Sequence, residues 1–332
     1  MKRCTRCILP ETFPGITFDK EGVCNYCNRS RSRSATESHK KSYFEKFQRL
    51  IEEYAGKGSY DVIMAYSGGK DSTYTLYIFT EIFKLRVLAL TFDNTFISPT
   101  AFKNINSVCD KLDVDSMIVR PAPGMLRTIF RAAAEKELYS PKTLERASTI
   151  CTSCIGMVKA IILKTALEKE IPFIGFGWSP GQAPVSSSVM HTNPALMKKA
   201  VNAIRQPLRD IVGPRIDPLF PEDDLFDKAL SFPWNIHPLA FMDYDEKMII
   251  QKNRTFGWVQ PQDTDPNSSN CLLNAFANHV HRNRYGFHPY VWEMANMVRD
   301  GVIDRTEALE KIEPPENQSM VEYCRKRLGP IQ

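Results

Sequence analysis

Asp61-Val62-Ile63-Met64-Ala65-Tyr66-Ser67-Gly68-Gly69-Lys70-Asp71-Ser72 runs from an apolar, strand-like stretch into a turn of glycines and hydroxyls, and a helix-like stretch, Tyr74 to Phe83, follows. Gly68 and Gly69 let the backbone approach a ligand closely and adopt torsions that other residues resist, so successive N–H groups can point at one anion. The helix behind them adds its positive end. Lys70 can neutralise phosphate charge, Ser67 and Ser72 can donate hydroxyl hydrogen bonds, and Asp71 can help hold a magnesium ion. The turn is thus a cradle for a polyphosphate. A Walker A loop needs four residues between its first glycine and Gly-Lys, so kinase-like and GTPase-like readings are disfavoured.

Working outward, strands at 60–66, 86–92 and 116–119 alternate with helices at 70–83, 99–112 and 123–137. A crossover helix, Cys151 to Glu170, and a buried strand, Ile171 to Trp178, come next. This rhythm predicts an α/β fold with a doubly wound parallel sheet. Ligands of such sheets sit beyond the carboxyl ends of the strands. The loop at Ser67, the segment Phe92-Asp93-Asn94 and the loop Gly177 to Gln182 therefore converge on one crevice, where Asp93 is the candidate for nucleotide recognition. Past residue 185 the pattern becomes mainly helical, near 186–212, 222–230, 268–284, 288–299, 303–312 and 315–328. Three regions are expected: a cysteine-rich module and linker over 1–40, the nucleotide-binding domain over 41–185, and a helical specificity region over 186–332. The stretch Arg29 to Lys41 is polar and aperiodic and reads as a linker that leaves the first module tethered. Ser42 to Tyr54 places Phe44, Phe47, Leu50, Ile51 and Tyr54 on one helical face.

At 332 residues, 43% hydrophobic and 24% charged, the chain has the composition of a globular protein large enough for two or three cores. The start, Met1-Lys2-Arg3-Cys4, lacks an apolar leader, and no uninterrupted apolar run approaches bilayer-spanning length. A cytoplasmic location without a membrane partner is expected. The net charge of +5 permits a nucleic-acid partner without requiring one. No pattern specifies an oligomeric state.

Nine cysteines say more. In a reducing compartment they point to metal rather than disulfides. Cys4-x-x-Cys7 and Cys24-x-x-Cys27, separated by sixteen residues, have the spacing of a four-thiolate zinc site, with Leu9 to Val23 as the joining hairpin. A module this small has little core of its own, so the metal is expected to supply folding energy; rubredoxin-like iron would use the same ligands, with a closed structural zinc the expected occupant. A second set comprises Cys151, Cys154 and the remote Cys271. Cys151 and Cys154 open a helix whose N–H groups are expected to lower their pKa values. Three thiolates with an open iron position suit a [4Fe-4S] cluster; a redox or persulfide-carrying pair with Cys271 as a core residue is the alternative. Cys109 and Cys324 read as core residues in helices. Asn274, Asn278 and His281 share a helical face with Cys271, marking either a site or a surface stripe, and Arg282, Arg284 and His288 could offer phosphate contacts.

Ser67-Gly68-Gly69-Lys70-Asp71-Ser72 resembles the SGGxDS motif of the PP-loop ATP pyrophosphatases, the adenine nucleotide alpha hydrolase-like family. The resemblance implies ATP split to AMP and pyrophosphate while a substrate oxygen becomes an adenylate, with Lys70 and Asp71 in catalytic positions. Cys4 to Pro10, Thr17 to Cys24 and His237-Pro238-Leu239 are similar to the N-acetyl sugar amidotransferases, which take ammonia from a glutaminase partner. The order of Cys151, Cys154 and Cys271 is similar to that of tRNA 2-thiolation enzymes, in which such cysteines hold a [4Fe-4S] cluster and pass sulfur to an adenylated base. Two activities are thus implied: sulfur transfer to a small molecule or RNA base, with a sulfur donor as partner, or amidation of an N-acetyl sugar. A non-catalytic ATP- and zinc-binding interaction protein is a third reading, which would release no pyrophosphate.

Overall fold

The computed structural model describes residues 1–30, 33–191, 193–228, 232–265 and 267–330. Its centre is an α/β sheet of six strands, Val62–Ala65 (β1), Val87–Phe92 (β2), Asp115–Val119 (β3), Phe173–Phe176 (β4), Val189–His191 (β5) and Trp234–Ile236 (β6), in the order β3-β2-β1-β4-β6-β5. All neighbours run parallel except β5, which is antiparallel to β6. The chain winds outward from β1 through β2 to β3, then crosses back to place β4 on the other side of β1. That reversal opens a crevice beyond the carboxyl ends of β1 and β4, and the turn after β1 begins at Tyr66.

Alternation along β1 supplies both cores. Ile63 faces one layer with Leu88, Leu90, Ile174 and Phe176, covered by the helices Pro123–Glu135, Thr149–Glu168, Leu273–Tyr285 and Gln318–Leu328. Val62 and Met64 face the other with Phe47, Leu76, Phe79, Ile105, Val108 and Trp258. The helix Thr149–Glu168 is long and apolar enough to cross a membrane by composition, contrary to the expectation of no such run, and 67% of its apolar window is buried inside the protein. Cys109 and Cys324 are buried in helices as expected, the Cys324 thiol donating to the Leu272 carbonyl at 3.3 Å.

Three departures from the expected layout are physical in origin. The stretch read as a linker is helical from residue 33 onward, within the helix Arg33–Tyr54; residues 31–32 lie outside the described residues. The four-cysteine module is packed rather than tethered, sharing an apolar cluster with Phe287, Val291, Met294 and Ala295 of the C-terminal helices. The region beyond 185 is mainly helical as expected, with the helices Pro194–Val212, Asp223–Lys228, Glu246–Arg254, Leu273–Tyr285, Val291–Arg299, Arg305–Ile312 and Gln318–Leu328, but it also contributes β5 and β6 to the sheet. The expected helical residues 229–230 lie outside the described residues.

The entries to β1 and β2 are pinned by Asp61, only 3% exposed, which accepts from Arg86 N (2.9 Å), Nε (3.1 Å) and a terminal guanidinium nitrogen (2.9 Å) and from Gly56 N (2.7 Å). Burial opposes its charge, but the Arg86 hydrogen bonds and those from the backbone hold its pKa below the ordinary carboxylate value. Asp61→Asn is expected to destabilise the protein by about 2 kcal/mol at neutral pH, the range for hydrogen bonds to a buried charge. Because the native pKa lies below the unfolded one, this contribution is present above about pH 4 and fades as pH falls through the native value. Urea unfolding of both proteins at pH 7 and pH 3 checks it: the difference shrinks at the lower pH.

Candidate active site

The turn after β1 has the shape its residues demand. Gly68 has φ +72°, and a Cβ there would meet the Ala101 carbonyl oxygen at 2.4 Å; one on Gly177, in the loop after β4, would meet Ser72 Cα at 2.5 Å. Both positions need glycine because backbone, not a flexible side chain, occupies the space. Gly69 caps the helix Lys70–Tyr77. Trp258 Nε1 donates to the Gly68 carbonyl at 2.9 Å and Asn253 Nδ2 to the Lys70 carbonyl at 2.7 Å, so buried side chains grip the turn from behind. Ser67 and Ser72 hydroxyls lie 3.0 Å apart. Ser269 Oγ accepts from Lys70 N at 3.0 Å, reaching into the mouth of the cradle from the C-terminal region.

Lys70 Nζ is surrounded by acceptors: Asp71 Oδ2 at 2.9 Å, Tyr244 OH at 2.8 Å and Glu246 Oε1 at 3.4 Å. Burial works against the ammonium, but Asp71, Tyr244 and Glu246 together hold its pKa well above the ordinary value, so it stays charged. Burial also opposes the Glu246 carboxylate, and Lys70 and Lys311 bring its pKa below normal. The segment Asp243-Tyr244-Asp245-Glu246 opens a helix with Asp245 as its cap, and also ties that helix to the glycine turn. Sequence alone gave no sign of this second role.

Asp93, 8% exposed, lies at the end of β2 with Oδ1 accepting from Thr95 N (2.8 Å) and Oδ2 paired with Arg120 (3.3 Å). Its neighbour Asn94 points to the cysteines: Nδ2 donates to Cys271 Sγ at 3.4 Å and Cys154 Sγ at 3.6 Å. The remote Cys271 arrives because its segment pairs with residues 96–98, through the Ile97–Cys271 bridge and the bonds Leu272 N to Phe96 O and Ser98 N to Asn270 O, each 2.9 Å. Cys151 and Cys154 come from the first turns of the helix Thr149–Glu168, where Ser148 Oγ caps Cys151 N at 3.1 Å. Asn274 Nδ2 donates to Tyr290 OH (3.0 Å) and lies 3.9 Å from Cys151 Sγ. The polar stripe is buried: Asn278 Nδ2 bonds Asn274 Oδ1 at 3.0 Å, and His281 packs between Tyr285 and Phe287.

The helix start does not lower these thiols. Burial, reinforced at Cys151 and Cys154 by Cys271, pushes Cys151 up to about 11 and raises Cys154 and Cys271 as well. Desolvation of a thiolate outweighs one capped helix end; a bound cation reverses that balance. Among the described residues, the only group of three or more ligands whose donor atoms all lie within 4.8 Å of one another is Cys4, Cys7, Cys24 and Cys27. Cys151, Cys154 and Cys271 do not belong to that group; Asn94 lies within 3.6 Å of the Cys154 and Cys271 sulfurs, and Asn274 lies 3.9 Å from that of Cys151.

The first set is tighter. Sγ separations of 3.8 Å, Cys4 to Cys27 and Cys7 to Cys24, match the ligand spacing of about 3.8 Å that a tetrahedral Zn–S bond of about 2.3 Å requires. Cys7 N and Cys24 N both donate to Cys4 Sγ, at 3.4 and 3.2 Å. Arg305 Nε donates to the Cys7 carbonyl at 3.0 Å, joining the module to the helix Arg305–Ile312. Phe13 stacks on Trp292 at 5.3 Å with planes 5° apart, joining it to Val291–Arg299.

That last helix carries two residues missed in the sequence. Glu293 accepts from Ser179 Oγ in the loop after β4, and burial pushes its pKa up to about 7 against the Ser179 hydrogen bond. Burial raises Tyr290 well above its usual value, with Cys151 and Glu293 adding to it. No motif marks either, since both are placed by tertiary packing. Of the basic residues suggested for phosphate, Arg284 is committed to the Ala134 and Lys136 carbonyls, and Arg282 lies 3.8 Å from Glu316. A cavity of about 200 Å³ in the C-terminal region has a lining that includes Asp265, Asn278, Arg282, His288, Lys311 and Glu316. Of its lining residues, Asn278 bonds Asn274, which lies 3.9 Å from Cys151 Sγ, and Lys311 pairs at 2.5 Å with Glu246, itself 3.4 Å from Lys70.

No protein-family model matches the chain. An uncharacterized protein of Methanocaldococcus jannaschii is 23% identical over 332 residues, covering 98% of both chains. Among solved structures, the U34-tRNA thiolase NcsA from Methanococcus maripaludis with its [4Fe-4S] cluster is similar at TM-score 0.36 and 17% identity, covering 99% of this chain and 88% of that one. The NH3-dependent NAD synthetase from Campylobacter jejuni in complex with nitrate is similar at TM-score 0.30 and 14% identity, covering 68% of this chain and 98% of that one.

Proposed function

We propose that the protein is an ATP-consuming, AMP- and pyrophosphate-forming sulfurtransferase of the PP-loop kind. The observation that carries this is that Cys151, Cys154 and Cys271, from segments far apart in the chain, share the neighbours Asn94 and Asn274, while Ser269, two residues before Cys271, accepts from Lys70 N in the glycine turn. In the first step an acceptor carbonyl oxygen attacks the alpha phosphorus of ATP, forming an adenylate and releasing pyrophosphate. The glycine turn would receive the phosphates, Lys70 would offset their charge, Asp71 would help hold a magnesium ion, and Asp93 would mark the nucleoside end. Positioning and electrostatics do most of such work. In the second step sulfur bonds to the activated carbon, and the bond from that carbon to the AMP oxygen breaks. A [4Fe-4S] cluster held by the three thiolates would supply an iron with an open position at which sulfur can be carried. Cys4, Cys7, Cys24 and Cys27 would hold a closed, structural zinc.

The cavity suits a small polar acceptor. Its cations are already matched, Arg282 with Glu316 and Lys311 with Glu246, leaving little for the phosphates of an RNA strand. The same feature favours, as a second reading, an N-acetyl sugar amidated by ammonia from a glutaminase partner, with the three cysteines serving structure. Anaerobic purification with iron, sulfide and zinc analysis separates the two. Iron and sulfide in stoichiometric amount, with zinc, support sulfur transfer; zinc without iron moves ammonia to first place. Absence of pyrophosphate release with either nucleophile, over a panel of thiolation substrates and N-acetyl sugars, leaves the non-catalytic reading.

A further inference from the structure

Asn94 has no role in the chemistry outlined above, yet it is the residue that links two thiols from different parts of the chain. It is 6% exposed, and its amide is oriented without ambiguity. Oδ1 accepts from Phe96 N at 2.8 Å, and a backbone N–H can only donate, so the oxygen must lie there and the NH2 group must face the sulfurs. Cys271 Sγ and Cys154 Sγ lie 3.4 and 3.6 Å from it. The bend is fixed by Asp93 Oδ1 on Thr95 N and by Thr95 at φ +70°. The amide is therefore held in place by the backbone rather than drawn in by the thiols.

We propose that Asn94 is a positioning residue for the metal centre at Cys151, Cys154 and Cys271, donating N–H hydrogen bonds to two ligand sulfurs and thereby setting the centre's retention and reduction potential. The inference rests on the cluster reading above. Such donors withdraw electron density from thiolate sulfur, which favours the reduced, more negative state of a centre and raises its potential. Outer contacts of this kind typically change metal affinity by roughly 10–100-fold. Asn94 also ties Cys154 to Cys271, so it fixes the spacing of ligands that the backbone delivers separately.

The test is anaerobic reconstitution of the full chain with ferrous iron and sulfide, for wild type, Asn94→Leu and Asn94→Asp. Asn94→Leu removes polarity altogether and carries the reading of the potential; Asn94→Asp keeps the shape and loses the donor but adds a charge that itself lowers the potential, so it is read by retention alone. Thermal melts before loading identify variants that fold, and either one suffices for retention. The expected result is wild-type-like iron uptake followed by loss to a chelator roughly 10–100-fold faster, and a midpoint potential shifted to more negative values in Asn94→Leu. A filler role for Asn94 would leave that potential unmoved. Wild type that loads iron alongside folded variants with unchanged retention and potential overturns this inference alone. Wild type that takes up no iron and sulfide overturns the sulfur-transfer reading and this inference together.

Discussion

Lys70→Ala is expected to lower pyrophosphate formation by about 10²–10³-fold, the usual cost of removing one preorganised charge from a site that stabilises developing negative charge. The effect has two sources. The ammonium that meets the polyphosphate is lost, and Asp71 and Glu246, which it now offsets at 2.9 and 3.4 Å, are left facing the ligand. Like charges there repel the substrate as well as failing to hold it. The measurement is pyrophosphate release together with a melt, since loss of the ammonium from a cluster of three acceptors also destabilises the folded chain. Lys70→Arg separates the two: it keeps the charge and partly restores stability, but the planar guanidinium cannot reproduce a compact ammonium among these oxygens. Turnover of Lys70→Ala within a few-fold of wild type would place the phosphates somewhere other than this turn.

Cys271→Ala is expected to abolish sulfur transfer and iron retention while leaving nucleotide binding at the turn. On the proposed reading Cys271 is the ligand that closes the set, because Cys151 and Cys154 sit on one helix and the third thiol comes only through pairing with residues 96–98. Two ligands from one turn do not hold a cluster that needs three or four. The substitution removes a single sulfur from a half-buried position and leaves the Leu272 and Ser98 backbone bonds in place, so the fold survives. Iron and sulfide content, and ATP binding by calorimetry, read the two outcomes separately. Full iron retention by Cys271→Ala would return this cysteine to the core and leave Cys151 and Cys154 as a redox pair.

How much of this the sequence disclosed depends on whether each feature is local. The glycine turn was legible because strand, glycines and helix are contiguous, and each residue type is dictated by its own backbone. The four-cysteine module was legible because its ligand spacing is chemistry written in chain order. The helix through residues 33–41 was hidden because it contains no apolar periodicity; it continues the amphipathic turns of 42–54, and extending a formed helix costs far less than starting one. β5 and β6 were hidden because three residues cannot display a period of two. Asn94 stood next to the residue chosen for nucleotide recognition, and only the arrival of Cys271 from more than half the chain away gives it partners. Glu293 and Tyr290 had no signal at all, because their burial and neighbours come from packing between separate helices. The pKa direction at Cys151 and Cys154 was misjudged for a related reason: helix position is readable from sequence, whereas desolvation is not.

The stack of Phe13 on Trp292, one residue before Glu293, makes the amino-terminal knuckles a bracket bolted to the crevice wall. If those knuckles hold the zinc proposed for them, a cell short of that ion would find the fault at the far end of the girder. Glu293 and Asn296, which hold the loop after β4, would lose their footing although nothing at the phosphate turn had changed. Nutritional scarcity of one metal would then silence a reaction in which that metal takes no chemical part.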